Sequence, residues 1–343
     1  MILTIAEGDT IIFHFTFSIF NSAVTTALQI PIWTSQFKQI TTTEMCKPHT
    51  VPFPFSIHVR SDFVGKFSDI LLTVDFDRTL TAPDSTIPKR NLDAIEYFMA
   101  EGGAFTVNTG RSVPMYTPLL NTVPVNAPLL LYNGSAAYDR EKGELSFCNP
   151  IDLDWREAIA RLRRLLPDLT VEFQGSKHHC IFEENEMWKR FCVHNGCPWR
   201  YASFEDDLGP FLKFTVYGTF HDETVSGLFK GTPGELERMD GAIETVRAEF
   251  GDKVSVFRAA ARIIDIHAAG VGKGKSARRL QKELGRRILI CAGDAQNDLN
   301  MLQEADYAFI PADATVSGFE TVCECAQGAV ADIIEKKIEK ILG

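Results

Sequence analysis

The stretch from Ser68 to Thr81, Ser-Asp-Ile-Leu-Leu-Thr-Val-Asp-Phe-Asp-Arg-Thr-Leu-Thr, limits the folds open to this chain more than any other. Ile70 to Val74 is a short apolar run without charge, the pattern of a strand buried on both faces as in a parallel sheet. The run stops at Asp75 and Asp77, which places two carboxylates at the carboxyl end of a buried strand. Open α/β sheets bind their ligands at that edge. Two acids beside an apolar strand repel each other and resist burial unless a cation or hydrogen-bond donors compensate them. A hard cation such as Mg2+, which prefers carboxylate oxygens, meets that need. An isolated Asp-x-Asp is more often a turn with a capping threonine, so the rest of the chain decides between the two.

Downstream the same rhythm returns. Asn91 to Glu101 has apolar residues at helical spacing, and Gly102-Gly103 ends that helix. Ala104 to Val107 reads as a second strand, closed by Asn108-Thr109-Gly110-Arg111, and Pro128 to Tyr132 as a third, ending at Asn133-Gly134. Alternating strand and helix predicts a doubly wound parallel sheet. From Ala136 the pattern changes: a hairpin turning at Lys142-Gly143, a helix over Trp155 to Leu166, and paired strands between Thr170 and Glu183. A helix over Asn185 to His194, a strand over Phe211 to Phe220, a helix over Glu235 to Phe250 and a strand over Val254 to Arg258 complete a mixed α+β unit. The parallel pattern is expected to resume with a strand over Arg262 to His267 and a helix over Ser276 to Leu284. Then come a strand over Arg287 to Ala292 closed by Gly293-Asp294, a helix over Asp298 to Ala305, a strand over Tyr307 to Ile310 and a last helix over Ala329 to Leu342.

Composition narrows the partners. In 343 residues with 45% hydrophobic content there is room for an α/β core carrying a large insertion, and a net charge of -10 with pI near 5.4 argues against nucleic-acid or acidic-membrane binding. Eight scattered cysteines suit reduced thiols and a cytoplasmic setting better than a disulfide framework. Cys192, His194 and Cys197, with His178, His179 and Cys180 upstream, offer metal-binding side chains, but their spacings match no common zinc motif. Residues 1 to 68 form an extension of unknown role, expected to pack poorly, with a Pro-bearing linker at Lys47 to Pro54. Polar residues interrupt the apolar run from Ile11 to Trp33, and Glu7 and Asp9 replace the basic flank of a signal peptide, so no stable membrane insertion is expected.

Four strand ends carry polar residues in a particular order: Asp75-Phe-Asp77-Arg-Thr79, Thr109-Gly110-Arg111, Lys273, and Gly293-Asp294-Ala-Gln-Asn297-Asp298. Cleaving a phosphate ester requires a nucleophile, an acid for the leaving oxygen, a cation for the phosphate charge and donors for its oxygens, and this set offers each. The order and spelling resemble the haloacid dehalogenase (HAD) superfamily, specifically its Cof-type phosphatases. The resemblance implies a Rossmann-like core over 69–137 and 262–343, with an α+β cap inserted at 138–261. It implies Asp75 as nucleophile and Asp77 as general acid and base. It further implies Thr109 and Lys273 at the transferring phosphoryl, with Thr79, Gly110, Arg111 and Asn297 binding or orienting phosphate. Mg2+ would be held by Asp75, the backbone carbonyl of Asp77, Asp294 and Asp298, and the substrate would be a small phosphomonoester such as a sugar phosphate or phosphorylated cofactor. Cap residues Lys177, His178, His179, Lys213 and Arg258 are candidate substrate contacts, whereas Trp188 and Trp199 suit the cap core. Arg78 and Ala295 stand where that family usually has glycine. A positive φ at Arg78 would make that replacement strained and slow the enzyme.

Three alternatives stay open: a sugar phosphomutase on the same fold, a non-catalytic binder of a phosphorylated ligand, and a P-loop nucleotide hydrolase. The last uses Ala269-Gly-Val-Gly-Lys-Gly-Lys275-Ser276, with Lys275 and Ser276 gripping phosphate. The oligomeric state is left open.

Overall fold

The computed structural model describes the backbone of residues 2–5, 10–19 and 22–31, and residues 65–218 and 231–342 in full. Two units are distinct, Met1–Arg60 and Ser61–Gly343. In the first, β1 (Ile2–Ile5), β2 (Thr10–Ile19) and β3 (Ser22–Pro31) make an antiparallel sheet in that order. The linker expected at Lys47 to Pro54 lies outside the described residues. Among the described residues no helix is long and apolar enough to cross a membrane.

The second unit is built on a parallel five-stranded sheet. Its members are β4 (Ile70–Val74), β5 (Ala104–Val107), β15 (Ile288–Ala292), β16 (Tyr307–Pro311) and β17 (Glu320–Val322), in the order β17-β16-β15-β4-β5. All five residues of β4 are buried because the strand packs on two sides: Ile70, Leu72 and Val74 enter one apolar cluster and Leu71 the other. The first cluster is covered by α1 (Lys89–Ala100) and by the C-terminal helical stretch opened by α8 (Ala329–Asp332) and closed by α9 (Glu339–Leu342). The second is covered by α6 (Lys273–Glu283) and α7 (Leu299–Glu304). Chain order therefore reverses at β4, with β5 on one side and β15 on the other. Val74 is level with Val107 and with Ala292. Three strand ends thus finish side by side, at the switch point where α/β sheets take their ligands.

The cap is a six-stranded sheet in the order β11-β10-β9-β12-β14-β13, where β9 is Thr170–Gln174, β10 His179–Ile181, β11 Trp199–Tyr201, β12 Lys213–Tyr217, β13 Val254–Ala260 and β14 Ile263–Ala268. One face buries Val171, Phe173, Phe214, Val216, Ile264 and Ile266 under α3 (Trp155–Leu165) and α5 (Pro233–Phe250). α5 starts before Glu235 because Thr232 and Glu235 form a reciprocal capping box. On the other side α4 (Glu186–His194) closes a smaller cluster around Trp188.

Two strands depart from the expected parallel sheet. The strand expected over Arg262 to His267 is β14, and it pairs antiparallel with β12 and β13 inside the cap sheet. All six residues of β14 are buried, Ile264, Ile266 and Ala268 in the apolar cap cluster and Asp265 and His267 among polar partners that include Lys213 and Asn133. The strand expected over Pro128 to Tyr132 is β6 (Leu129–Leu131), which makes a single parallel bridge to the core at Asn108. Its other edge pairs antiparallel with β7 (Ala136–Asp139), and β7 with β8 (Glu144–Cys148). Ala136, Ala137 and Phe147 of this hairpin pack into the core clusters. Residues 138 and 261 accordingly fall inside β7 and between two strands of the cap sheet. The helix expected from Ser276 begins at Lys273 instead.

Candidate active site

The aligned strand ends bring the acids together. Asp75 continues β4, its N–H bonded to the Ala292 carbonyl at 2.9 Å, and Asp294 lies two residues beyond β15. One carboxylate oxygen from each of Asp75, Asp294 and Asp298 lies within 4.8 Å of the other two, and all three residues are buried. Lys273, fully buried at the start of α6, donates to Asp75 Oδ1 at 2.5 Å and Asp298 Oδ1 at 2.6 Å. The other Asp298 oxygen accepts from the backbone N–H groups of Asp294 and Ala295, both at 3.0 Å. Gly293 permits this loop, since a Cβ there would stand 2.5 Å from Asp298 Cβ. Thr79 Oγ1 donates to Asp294 Oδ1 at 3.4 Å, and Thr315 bonds the Asp294 carbonyl through both its N–H and its hydroxyl.

Charge in this cluster is unbalanced. Burial, the largest effect, pushes the Asp75 carboxyl well above its ordinary range, with Lys273 pulling it back and Asp298 and Asp294 adding to the rise. Burial and the neighbouring Asp298 hold Asp294 up at about 7, against the pull of Lys273. Burial works against the charge of Lys273, yet Asp298 and Asp75 outweigh it and keep the ammonium above its ordinary value. Asp75 and Asp294, two of the three acids around one lysine, are held toward protonation, which fits a divalent cation bound by oxygen that would restore both to carboxylates.

A second loop faces the first. Arg111 grips Asp77 with both arms, Nε to Oδ2 at 2.9 Å and a terminal nitrogen to Oδ1 at 2.8 Å, while its guanidinium lies 5.2 Å from the Phe76 ring centre. Thr109 Oγ1 accepts from the Arg111 N–H at 3.2 Å. The Gly110 carbonyl accepts from Lys213 Nζ at 3.0 Å, and a Cβ on Gly110 would meet Asn133 Oδ1 at 2.9 Å. Asn297 Nδ2 reaches Asn133 Oδ1 at 3.4 Å.

Several groups that sequence reasoning missed complete the frame. Asn108 donates to the Lys273 carbonyl at 2.9 Å, and Asn133 Nδ2 faces Asp265 Oδ2 at 3.2 Å and His267 Nε2 at 3.1 Å. Lys213 also bonds Asp265, so a buried ion pair between two cap strands reaches the core loop at the Gly110 carbonyl. Polar residues at the carboxyl end of a buried strand were the available signal for Asn108 and Asn133. Nothing local marked Asp265, and Lys213, expected as a substrate contact, is instead held by Asp265 and the Gly110 carbonyl. Of the proposed cap contacts, Lys177 and His178 are exposed and line a cleft of about 250 Å3 with Arg200, and Arg258 bonds Asp240 and the Ala261 carbonyl. Trp188 is fully buried with Trp199 edge-on at 5.9 Å. Lys275 is exposed, and the Ser276 hydroxyl donates to the Lys273 carbonyl at 2.9 Å.

A second cluster joins Glu172, His179 and Cys192 in the cap, while His178 and His194 stay on the surface. Glu172 accepts from His179 Nδ1 and Trp188 Nε1 on one oxygen, and from Tyr217 and Gln174 on the other. With four donors on about four lone-pair sites, that carboxylate has no place left for a cation.

A family model described as haloacid dehalogenase-like hydrolase matches residues 72–320. The chain belongs to the haloacid dehalogenase-like hydrolases. A Streptococcus pyogenes protein provisionally named a phosphatase is 26% identical over 243 residues, 68% of this chain and 83% of that protein. An HMP-PP phosphatase from Serratia proteamaculans is 20% identical over 275 residues, 77% of this chain and 94% of its own length. The crystal structure of a haloacid dehalogenase-like hydrolase from Bacteroides thetaiotaomicron superposes with a TM-score of 0.65 at 19% identity, covering 78% of this chain and 98% of that one. A parallel core with an inserted mixed cap is thus the architecture of this haloacid dehalogenase-like hydrolase, and its buried acid cluster lies at the carboxyl ends of the core strands.

Proposed function

We propose that this hydrolase is a Mg2+-dependent phosphatase of the Cof-type branch, cleaving a small phosphomonoester such as a sugar phosphate or a phosphorylated cofactor. The observation that carries the reading is the convergence of Asp75, Asp294 and Asp298 on one buried lysine at the strand-end switch point. Asp75 and Asp294 would hold the cation together with the backbone carbonyl of Asp77. Asp298 joins through lone pairs that Lys273 and the loop amides leave over. When bound, Mg2+ offsets the charge of the phosphate and of its carboxylate ligands.

Asp75 attacks phosphorus, the bond to the leaving oxygen breaks, and Asp77 gives that oxygen its proton. Asp77, now a carboxylate, takes a proton from water as that water attacks the aspartyl phosphate and frees Asp75. Lys273 holds the nucleophile's carboxylate in place and keeps it from repelling the incoming phosphate. Thr109, Gly110 and Arg111 present donors to the phosphoryl oxygens, and Thr79 and Asn297 brace the two acidic loops. The name of the Serratia relative is consistent with a phosphorylated cofactor precursor as one substrate class to try.

The test is hydrolysis of an aryl phosphate with and without EDTA by the wild type, Asp75→Asn and Lys275→Ala. The expected outcome is loss of at least about a thousandfold with Asp75→Asn and with EDTA, and near-wild-type turnover with Lys275→Ala. The reverse pattern would favour the P-loop alternative. A folded wild type that turns over nothing on a broad phosphate panel would favour a binder.

A further inference from the structure

We infer that His179 is a positioning residue that fastens the cap to the loop carrying Arg111, and so fixes where Asp77 delivers its proton; the inference rests on the phosphatase reading above. Its ring bridges cap and core: Nδ1 lies 2.8 Å from Glu172 Oε1 within the cap, and Nε2 lies 2.6 Å from Ser112 Oγ in the core. All three residues are fully buried, so water competes for none of these bonds. Glu172 is held in turn by Trp188, Tyr217 and Gln174, which leaves the imidazole a rigid seat rather than a swinging arm.

Ser112 directly follows Arg111. The core holds this loop through Asn133 N–H on the Thr109 carbonyl and Tyr132 N–H on the Arg111 carbonyl, each at 3.0 Å. The cap adds Lys213 on the Gly110 carbonyl and His179 on Ser112. Ser112 Oγ also accepts from Met115 N–H at 3.2 Å, capping the short helical turn α2 (Val113–Tyr116). Without His179 the Ser112 side chain keeps only that local cap, and the two-armed grip of Arg111 on Asp77 loses its fastening to the cap while the backbone bonds at Arg111 and Ser112 remain. Proton transfer is sensitive to displacements well under 1 Å, so an acid whose clamp drifts is a poorer acid.

The experiment measures kcat and KM for wild type, Asp75→Asn, His179→Gln, Ser112→Ala and the double variant, on two substrates. One is an aryl phosphate with an acidic phenol, which departs without a proton; the other is an alkyl phosphate, which needs one. Expected is a kcat loss on the alkyl phosphate at least about tenfold larger than on the aryl phosphate, with KM little changed and the double variant no worse than the worse single. Equal losses on both substrates, no loss, or additive losses would overturn the inference. Ser112→Ala leaves the Glu172–His179 pair in place. If neither single variant folds, the trio is structural and the inference is overturned. If Asp75→Asn leaves wild-type turnover intact, the phosphatase reading itself falls and takes this inference with it; in a working phosphatase only the leaving-group ratio is at stake.

Discussion

Arg78 and Ala295 both occupy positions where glycine is usual in the resembling family, yet only one of them strains the backbone. Ala295 sits at φ -130 and ψ 174, extended backbone that any residue adopts. Arg78 sits at φ 61 and ψ 11, the left-handed region, where an L side chain costs about 1–2 kcal/mol. Its Nε lies 3.7 Å from Asp294 Oδ2 with the side chain half exposed, a pair too long and too wet to offset that cost. Glycine carries an entropic penalty of about 0.5–1 kcal/mol of its own, so Arg78→Gly should stabilise the protein by about 0.5 kcal/mol. The urea midpoint at unchanged slope measures this. A clear loss instead would mean that the Asp294 pair outweighs the strain.

Among the elements, the β9–β10 hairpin does the most to join cap and core, through His179. Burial disfavours the imidazolium, but Glu172 and Cys197 overcome it and raise the ring to about 9. The groups facing it are Glu172 on β9, Cys192 on α4, Cys197 just beyond, Tyr217 on β12 by way of Glu172, and Ser112 from the core. A raised histidine stabilises fully below its unfolded value of about 6.5, and that contribution is lost as pH climbs through about 9. Cys197 titrates the other way: held at about 6 by Cys192 and His179 against burial, it adds stability as pH rises across the same window. In wild type the two slopes largely cancel. Cys197→Ala removes the opposing slope and part of what raises the ring, leaving Glu172, so its unfolding free energy should fall as pH rises from about 6.5 and level off below 9, at up to about 1.4 kcal/mol per unit, while wild type stays flatter. Denaturant titrations at several pH values decide it; equal slopes would show that the ring is neutral.

At the scale of the molecule, folding collects acids from segments far apart in sequence into one cluster whose repulsion a cation relieves. Mg2+ at about a hundred times its Kd should therefore raise the unfolding free energy by about 2.7 kcal/mol, and Asp294→Asn should lose most of that gain. Thermal melts with Mg2+ and with EDTA read it directly. The five-residue apolar run ending at Asp75, the Asn108-Thr109-Gly110-Arg111 and Gly293-Asp294 closures and the changed rhythm after Ala136 were legible in the chain, because burial on two faces and the end of a strand leave local marks. Which edge each strand pairs with leaves none: Ile263–Ala268 reads as one more short apolar strand, and only its partners β12 and β13 put it in the cap. The same holds for Lys213 with Asp265 and for Ser112 with His179, pairs whose members carry no mutual spacing. Periodicity reports what a residue is buried against in kind, apolar or polar. Pairing across the cap and core depends on how two separately formed sheets meet, which is decided in three dimensions.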